Sequence, residues 1–381
     1  MKLQNLSSFS ATLLRNASAR SDDHMVACVI ARGLFRVAPD GTLAEAPEPW
    51  AVDPSPIETP LGRTPGDKPF YLGGIDVLVG GRVFSPERRP QSRLEVQVEV
   101  GRHFRRRLAV FGDRRWKRGA EGRLEIGPPE LFLSMPLTYA RAFGGRARTP
   151  HGELPYPANA EGRGYYHDDA AALGQLLPNL EHPAQLVEQP SDRPVPVGLG
   201  YYAATGALRP LAAIDHPAVA GARGVMFGKA VEGAPAAEPP PADARIGPEN
   251  LRPTLFNQAH PDMVIEARKG PLPGDRIRLS AGRRDGSDLS FSLPPPLLHL
   301  HVQLDDRHHL LPLHLDQIGL LGGEDRVMLG YRVVFEYPTR RGEQRFAALR
   351  PGDRPAEIPA GYDRRVAAVW DPFDEGAALS S

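Results

Sequence analysis

The residues of this chain best suited to holding a metal are three histidines near its C-terminal end. His299 and His301 lie two apart in "LLHLHVQLDD", and residues two apart on a strand project from one face. A hairpin register that turns Leu310 to Leu315 inward sets His314 opposite one of them, with Asp316 near the same face. Three imidazoles and a carboxylate suit zinc or a non-haem metal. The same spacing has a plainer reading. Leu298, Leu300, Val302 and Leu304 would face a core, and the histidines would be the solvated side of an antiparallel strand. The expected metal and cofactor content is none, with His299, His301 and His314 as the candidates should a metal be bound.

A second stretch rich in chemistry is "VFGDRRWKRG", Val110 to Gly119, with four basic side chains, one acid and a tryptophan. It closes a longer run, Arg102 to Arg118, in which eight Lys/Arg alternate with Phe104, Phe111 and Trp116. Basic residues interleaved with aromatics suit a single nucleic-acid strand that stacks as it binds. Lys+Arg 46 against Asp+Glu 46 gives the chain zero formal charge, whereas a nucleic-acid-binding domain usually carries a basic excess. As turn chemistry, Asp113 would accept hydrogen bonds from the backbone N–H groups that follow it, an Asx turn. An arginine would pair with it and Trp116 would pack on a sheet.

Catalysis finds little footing elsewhere. "GVMFGKA" fails as a phosphate loop because Arg223 and Ala230 stand where glycine and Ser/Thr are required. No G-x-S-x-G, H-E-x-x-H or paired-cysteine pattern occurs. The single cysteine, Cys28 in "MVACVIA", cannot form an internal disulfide and reads as a small core residue.

Positioning these residues falls to strands. Gly 39 and Pro 41 make up about a fifth of the chain, nearly twice ordinary usage, which disfavours long helices. Alternating apolar and polar residues mark strands over 25–37, 75–84, 93–111, 275–280, 288–293, 297–316 and 326–337. In "RLEVQVEVGRHFRRRLAVF" a turn at Gly101–His103 makes a hairpin, and "LLHLHVQLDDRHHLLPLHLD" repeats the plan. "CVIARGLF" loosely echoes "LGYRVVFEY", a hint of duplication. "DDAAALGQLL" from Asp168 predicts a short, Asp-capped helix. "VEGAPAAEPPPADARIGPEN", Val231 to Asn250, lacks apolar periodicity and reads as a mobile loop.

The fold expected is mainly β: two packed antiparallel β units, sandwich- or barrel-like, with a loop-rich centre and few short helices, the halves interlocked. Residues 1–145 form the first unit, 146–274 the connecting region, 275–337 the second unit packed on the first, and 338–381 a divergent tail on the surface. No run approaches the ~18 apolar residues of a bilayer span, and the N-terminus lacks the apolar core of a secretory signal. A cytoplasmic location is expected.

"VFGDRRWKRG" followed by "MPLTYARAFGG" resembles the signature of a bacterial family long catalogued as a domain of unknown function, whose members serve as effector adaptors or chaperones in type VI secretion. In order along the chain, "MKLQNLSSF", "VIARGLFRVAPDGTL", "DKPFYLGGIDVLVGGRVFSP", "GRGYY", "NLEHP", "DRPVPVGLG", "LFNQAHPDM" and "LHLDQIGLLGGEDRVMLGYR" agree with it. The family's "GTYD" stretch is replaced by "IDHPAVAGARGVMFGKAVEGAPAAEPPP", and its W-x-P-R by "GALRP". The resemblance implies a non-enzymatic protein that binds a type VI effector through its N-terminal PAAR or Rhs-type region and assists loading on the VgrG spike. It implies no nucleic acid and no membrane as partners. Asp113, Arg114, Trp116, Arg141 and Phe143 would organise the scaffold or line the effector groove. Two alternatives stand beside it: a metal-binding or hydrolytic β protein centred on the histidines, and a nucleic-acid binder using residues 102–118.

Overall fold

The structure, a computed structural model, describes residues 1–17, 23–67, 72, 74–202, 257–266, 270–304, 307–338 and 345–352. Among the described residues it is mainly β, with several sheets, few short helices and no closed barrel. The segment Val231–Asn250, expected to be a mobile loop, lies outside the described residues.

The largest sheet runs, in order, Ser134–Pro136, Gly74–Phe84, His314–Gly322, Arg326–Pro338, His24–Val37 and Ser10–Ala17. Val264–Glu266 pairs with Gly74–Phe84, and Leu43–Glu45 with His24–Val37. The two segments that echo each other in sequence are neighbours here, paired antiparallel from His24↔Pro338 to Arg36↔Arg326. Gly74–Phe84 and His314–Gly322 run parallel. At the end of that pair Gly81 (φ 74°) meets Gly322, and a Cβ there would lie 2.2 Å from the Gly322 carbonyl oxygen. Only glycine fits so close an approach with a positive φ.

A five-stranded sheet orders Leu180–Glu181, Phe104–Phe111, Arg93–Val100, Arg276–Leu279 and Leu289–Ser292. Its hairpin turns at Gly101 (φ 51°) and pairs Arg93↔Phe111 through Val100↔Phe104. The alternation then does its work. Val96, Val98, Val100, Leu108 and Val110 join Val77, Val79, Ile318, Leu320 and Leu329 in one buried core, each such side chain contributing about 1.5–3 kcal/mol of burial. The two ends of the chain interleave rather than closing separate sheets, because Arg276–Leu279 pairs with the N-terminal hairpin and the His314–Pro338 strands lie between N-terminal ones.

A four-stranded sheet orders Lys2–Asn5, Arg345–Pro351, Leu298–Leu304 and Arg307–Pro312. The chain beyond residue 338, expected as a surface tail, thus supplies an interior strand as far as Pro351, with Ala347, Ala348 and Leu349 fully buried. The expected helix is one turn, Asp169–Ala172. Asp168 caps it by accepting from the Ala171 N–H at 2.8 Å, and Leu173 and Gly174 (φ 77°) end it.

Candidate functional site

The histidine reading is corrected by register. Leu298–Leu304 pairs with Arg307–Pro312, setting His299 against Pro312 and His301 against Leu310. His314 has left that hairpin and pairs with Arg332 in the main sheet. The break falls at Pro312 and Leu313, which separate two strands where a single returning strand was expected. His299 is buried rather than solvated, with Nδ1 2.9 Å from the Gly352 carbonyl. His301 turns to His308 instead, Nε2 to Nδ1 at 2.9 Å, and burial with the neighbouring His308 lowers its pKa. Asp316 is held between two arginines. Among the described residues no three His, Cys, Asp or Glu side chains gather as metal ligands.

The "GDRRW" stretch builds a scaffold node. Asp113 does not close an Asx turn. Its Oδ1 accepts from Arg141 (3.1 Å) and Asn179 Nδ2 (2.9 Å), with Arg163 at 3.7 Å. Arg114, buried, pairs with buried Glu181, donates to the Pro178 carbonyl at 2.8 Å and stacks 3.8 Å over the Phe111 ring. Burial raises the Glu181 carboxyl pKa, and the Arg114 charge works against it. Trp116, 1 % exposed, packs not on a large sheet but in a separate core with Phe143, Ala172, Leu177 and Val187. Arg141 and Phe143 do not share a face, since Tyr139–Arg141 is a 3-10 turn that aims Arg141 at Asp113 while Phe143 goes inward. Gly144 (φ 145°) and Gly145 (φ 107°) make a sharp turn, and a Cβ on Gly144 would stand 2.1 Å from the Asn159 carbonyl oxygen.

A second node lies inside the main sheet. Arg32 Nη2 reaches Asp67 at 2.6 Å and Nη1 reaches Asp316 at 3.4 Å, while Arg332 Nε holds the other Asp316 oxygen at 2.9 Å. Beside it Asp76 accepts from Asn257 Nδ2 (2.8 Å), the N–H groups of Gln258 (3.0 Å) and Ala259 (3.2 Å), and Gln317 Nε2 (3.2 Å). All these side chains are buried. Burial pushes the Asp76 carboxyl up to about 6 in spite of its four donors. Cys28, also buried, has its thiol pushed up to about 11 by burial, which removes the thiolate a nucleophile would need.

Between the two nodes runs a groove of about 540 Å³. Its floor is apolar, with Leu108, Ala158, Val197 and Met263. Tyr156 joins it to the first node by an edge-on contact to Phe143 at 5.1 Å. Tyr202 joins it to the second, its N–H donating to the Gln258 carbonyl at 2.9 Å. His260 stands edge-on to Tyr202 at 4.7 Å. Its Nδ1 accepts from the Asp262 N–H at 3.2 Å, and burial lowers its pKa. Arg106 and Arg107 form the rim, and a smaller hollow of about 310 Å³ continues past Arg105 and His182 to Ala184.

A family profile described as "Uncharacterized protein conserved in bacteria (DUF2169)" matches residues 22–332. The chain belongs to this family. No curated protein and no solved structure matches the chain. The DUF2169 match spans both nodes and the groove. Sequence reasoning named Asp113, Arg114, Trp116, Arg141 and Phe143, which the fold does bring together. It missed their partners Asn179 and Glu181, both in the quoted "NLEHP", and the groove residues Tyr156, Tyr202, His260 and Met263. The signal was present in "NLEHP" and "LFNQAHPDM", but pairing them with distant arginines and carboxylates needs the fold.

No helix among the described residues is long and apolar enough to cross a membrane.

Proposed function

We propose that this protein is a non-enzymatic adaptor or chaperone. It binds a type VI secretion effector through the effector's N-terminal PAAR or Rhs-type region and assists loading on the VgrG spike, acting in the cytoplasm. The observation that carries the reading is the groove between the two nodes. Its walls come from the segments that carry the resemblance: "NLEHP" gives His182, "DRPVPVGLG" gives Val197 and Gly198, and "LFNQAHPDM" gives His260 and Met263. The buried charges brace those walls rather than meeting a substrate, and Asp113, Arg114 and Trp116 act as scaffold. An apolar floor with aromatic walls and a basic rim is the anatomy of a protein-docking site. The metal reading loses its geometry once His314 leaves the hairpin. The nucleic-acid reading is weakened because the part-buried Glu99 holds Arg105 and the chain carries no basic excess.

Co-expression with truncated forms of an effector encoded beside this protein tests the proposal. Retention of the N-terminal region, and not of the toxic C-terminal domain, is the expected result. Retention of the toxin domain alone would make this an immunity factor and end the adaptor reading.

A further inference from the structure

The edge of the five-stranded sheet stops being paired at the groove. Leu180 and Glu181 cover Val110 and Ala109 of the strand Phe104–Phe111, and the pairing ends there. Carrying the register one pair of residues further sets Pro183, which has no N–H, opposite Arg107. On this edge the Phe111 N–H donates outward to Asn179. Alternate residues of a strand turn their backbone groups to the same neighbour, so Arg107 presents its N–H and C=O outward too. Among the described residues no hydrogen bond closes on them. Two residues back, the Arg105 carbonyl is capped by the Arg106 guanidinium at 3.0 Å.

Charge and shape on the two faces of this edge differ. Arg105 and Arg107 point to one face, with side chains 71 % and 58 % exposed; Arg105 is held by the part-buried Glu99, while the looser Arg107–Glu95 pair, 3.7 Å and exposed on both sides, is one that an incoming carboxylate can exchange for. Arg106 and Leu108 point to the other, over the apolar floor. Arg106 gives Nε to the Asp262 carbonyl and forms no ion pair among the described residues. Among the described residues Asp262 is the one acid lining the groove, its carboxylate 3.8 Å from His260 Nδ1.

We infer that the groove takes an extended peptide of alternating acidic and apolar residues, added as a strand along the edge of Phe104–Phe111 at Arg107. Main-chain bonds to Arg107 supply the docking, as in other cases of strand addition. Period-two side chains place carboxylates beside Arg105 and Arg107 and apolar groups over Leu108, Val197 and Met263. The adaptor reading supplies only the source of the peptide, a segment of the effector.

A fluorescein-labelled peptide of alternating glutamate and valine is the probe, titrated against the full chain by fluorescence anisotropy. Its lysine–valine counterpart and a version N-methylated at alternate residues are each expected to bind at least about tenfold more weakly. Arg107→Glu is expected to lose at least about tenfold with an unshifted melt. Equal binding of the N-methylated peptide would overturn strand addition. Equal binding by Arg107→Glu would overturn the site. Co-expression with the effector separates this proposal from the adaptor reading. If the Arg106→Glu/Arg107→Glu protein retains the effector as well as wild type does, the groove proposal falls and the adaptor stands. If wild type retains no effector while the glutamate–valine peptide binds as described, the adaptor falls and the groove stands.

Discussion

Arg114 and Glu181 make the sharpest test of how the first node holds together. Arg114 is 6 % exposed and Glu181 2 %, so each is the other's main compensation for lost water. Arg114→Met leaves the Glu181 carboxylate with one remaining donor, the Val187 N–H at 2.8 Å, and strips the Pro178 carbonyl of its guanidinium bond. Breaking a buried pair in this way costs about 3–5 kcal/mol. Glu181→Gln leaves a buried guanidinium that keeps Pro178 and the Phe111 ring, so its cost belongs at the lower end, about 3 kcal/mol. The double variant has no uncompensated charge and should cost clearly less than the sum, a coupling of about 2 kcal/mol or more. Urea unfolding of the four proteins reads this directly, with stability compared at constant m. The pH dependence has a definite sign. Burial raises the folded pKa of Glu181 and Arg114 opposes it, so in Arg114→Met the carboxyl takes up a proton more readily in the folded state than in the unfolded one. The deficit of that variant is therefore largest at neutral pH and shrinks as the pH falls through the raised pKa. Additive single costs, or a deficit independent of pH, would refute the claim that the pair is a mutual compensation of buried charge.

Three further outcomes follow from the same geometry. Asp76, raised to about 6 by burial, binds its proton more tightly when folded, so its contribution is full below the unfolded pKa and is lost as pH rises through about 6. This loss amounts to roughly 3 kcal/mol, and Asp76→Asn should flatten that part of a stability–pH curve. Trp116→Ala should destabilise by about 3–5 kcal/mol, with effector binding falling only as folding falls; lost binding with an unshifted melt would make Trp116 a docking residue instead. Gly198→Ala places a Cβ 2.2 Å from Met263 Cγ, so Met263 must shift from its place in the groove floor, and binding of the glutamate–valine peptide should weaken far more than the melting temperature falls.

The alternation of apolar and polar residues was enough to find most of the long strands, because a half-buried strand has a period that no loop shares, but it marked neither Ser10–Ala17 nor residues 317–322 of His314–Gly322. Arg93–Val100, Phe104–Phe111 and Arg326–Pro338 fall where the pattern puts them. Register was not legible. "LLHLHVQLDDRHHLLPLHLD" carries one pattern across a proline, and nothing in the alternation says that the chain changes sheets there. The strand Arg345–Pro351 was missed for a related reason. Its run "RFAALRP" has adjacent buried residues, as expected of a strand covered on both faces, so the period-two signal is lost.

The candidate site was half legible, and the reason lies in how its charges are used. Asp113, Arg114 and Trp116 stand out because unlike residues crowd into one turn, and local crowding is visible in sequence. Asp76, Asn257 and Gln317 do not, because no charged partner stands near them in the same turn, and Asp76 meets Asn257 and Gln317 only across 181 and 241 positions of chain. Such residues acquire meaning only when strands from both ends of the chain share a sheet. That sharing also explains where the groove lies. A wall drawn from "LFNQAHPDM" can face one drawn from Phe104–Phe111 only because Val264–Glu266 is tied to Gly74–Phe84, and the buried Asp76 cluster fixes that tie. Loosening the cluster should therefore open the groove before it unfolds the hairpin sheet, whose own ladder runs unbroken from Arg93↔Phe111 to Val100↔Phe104.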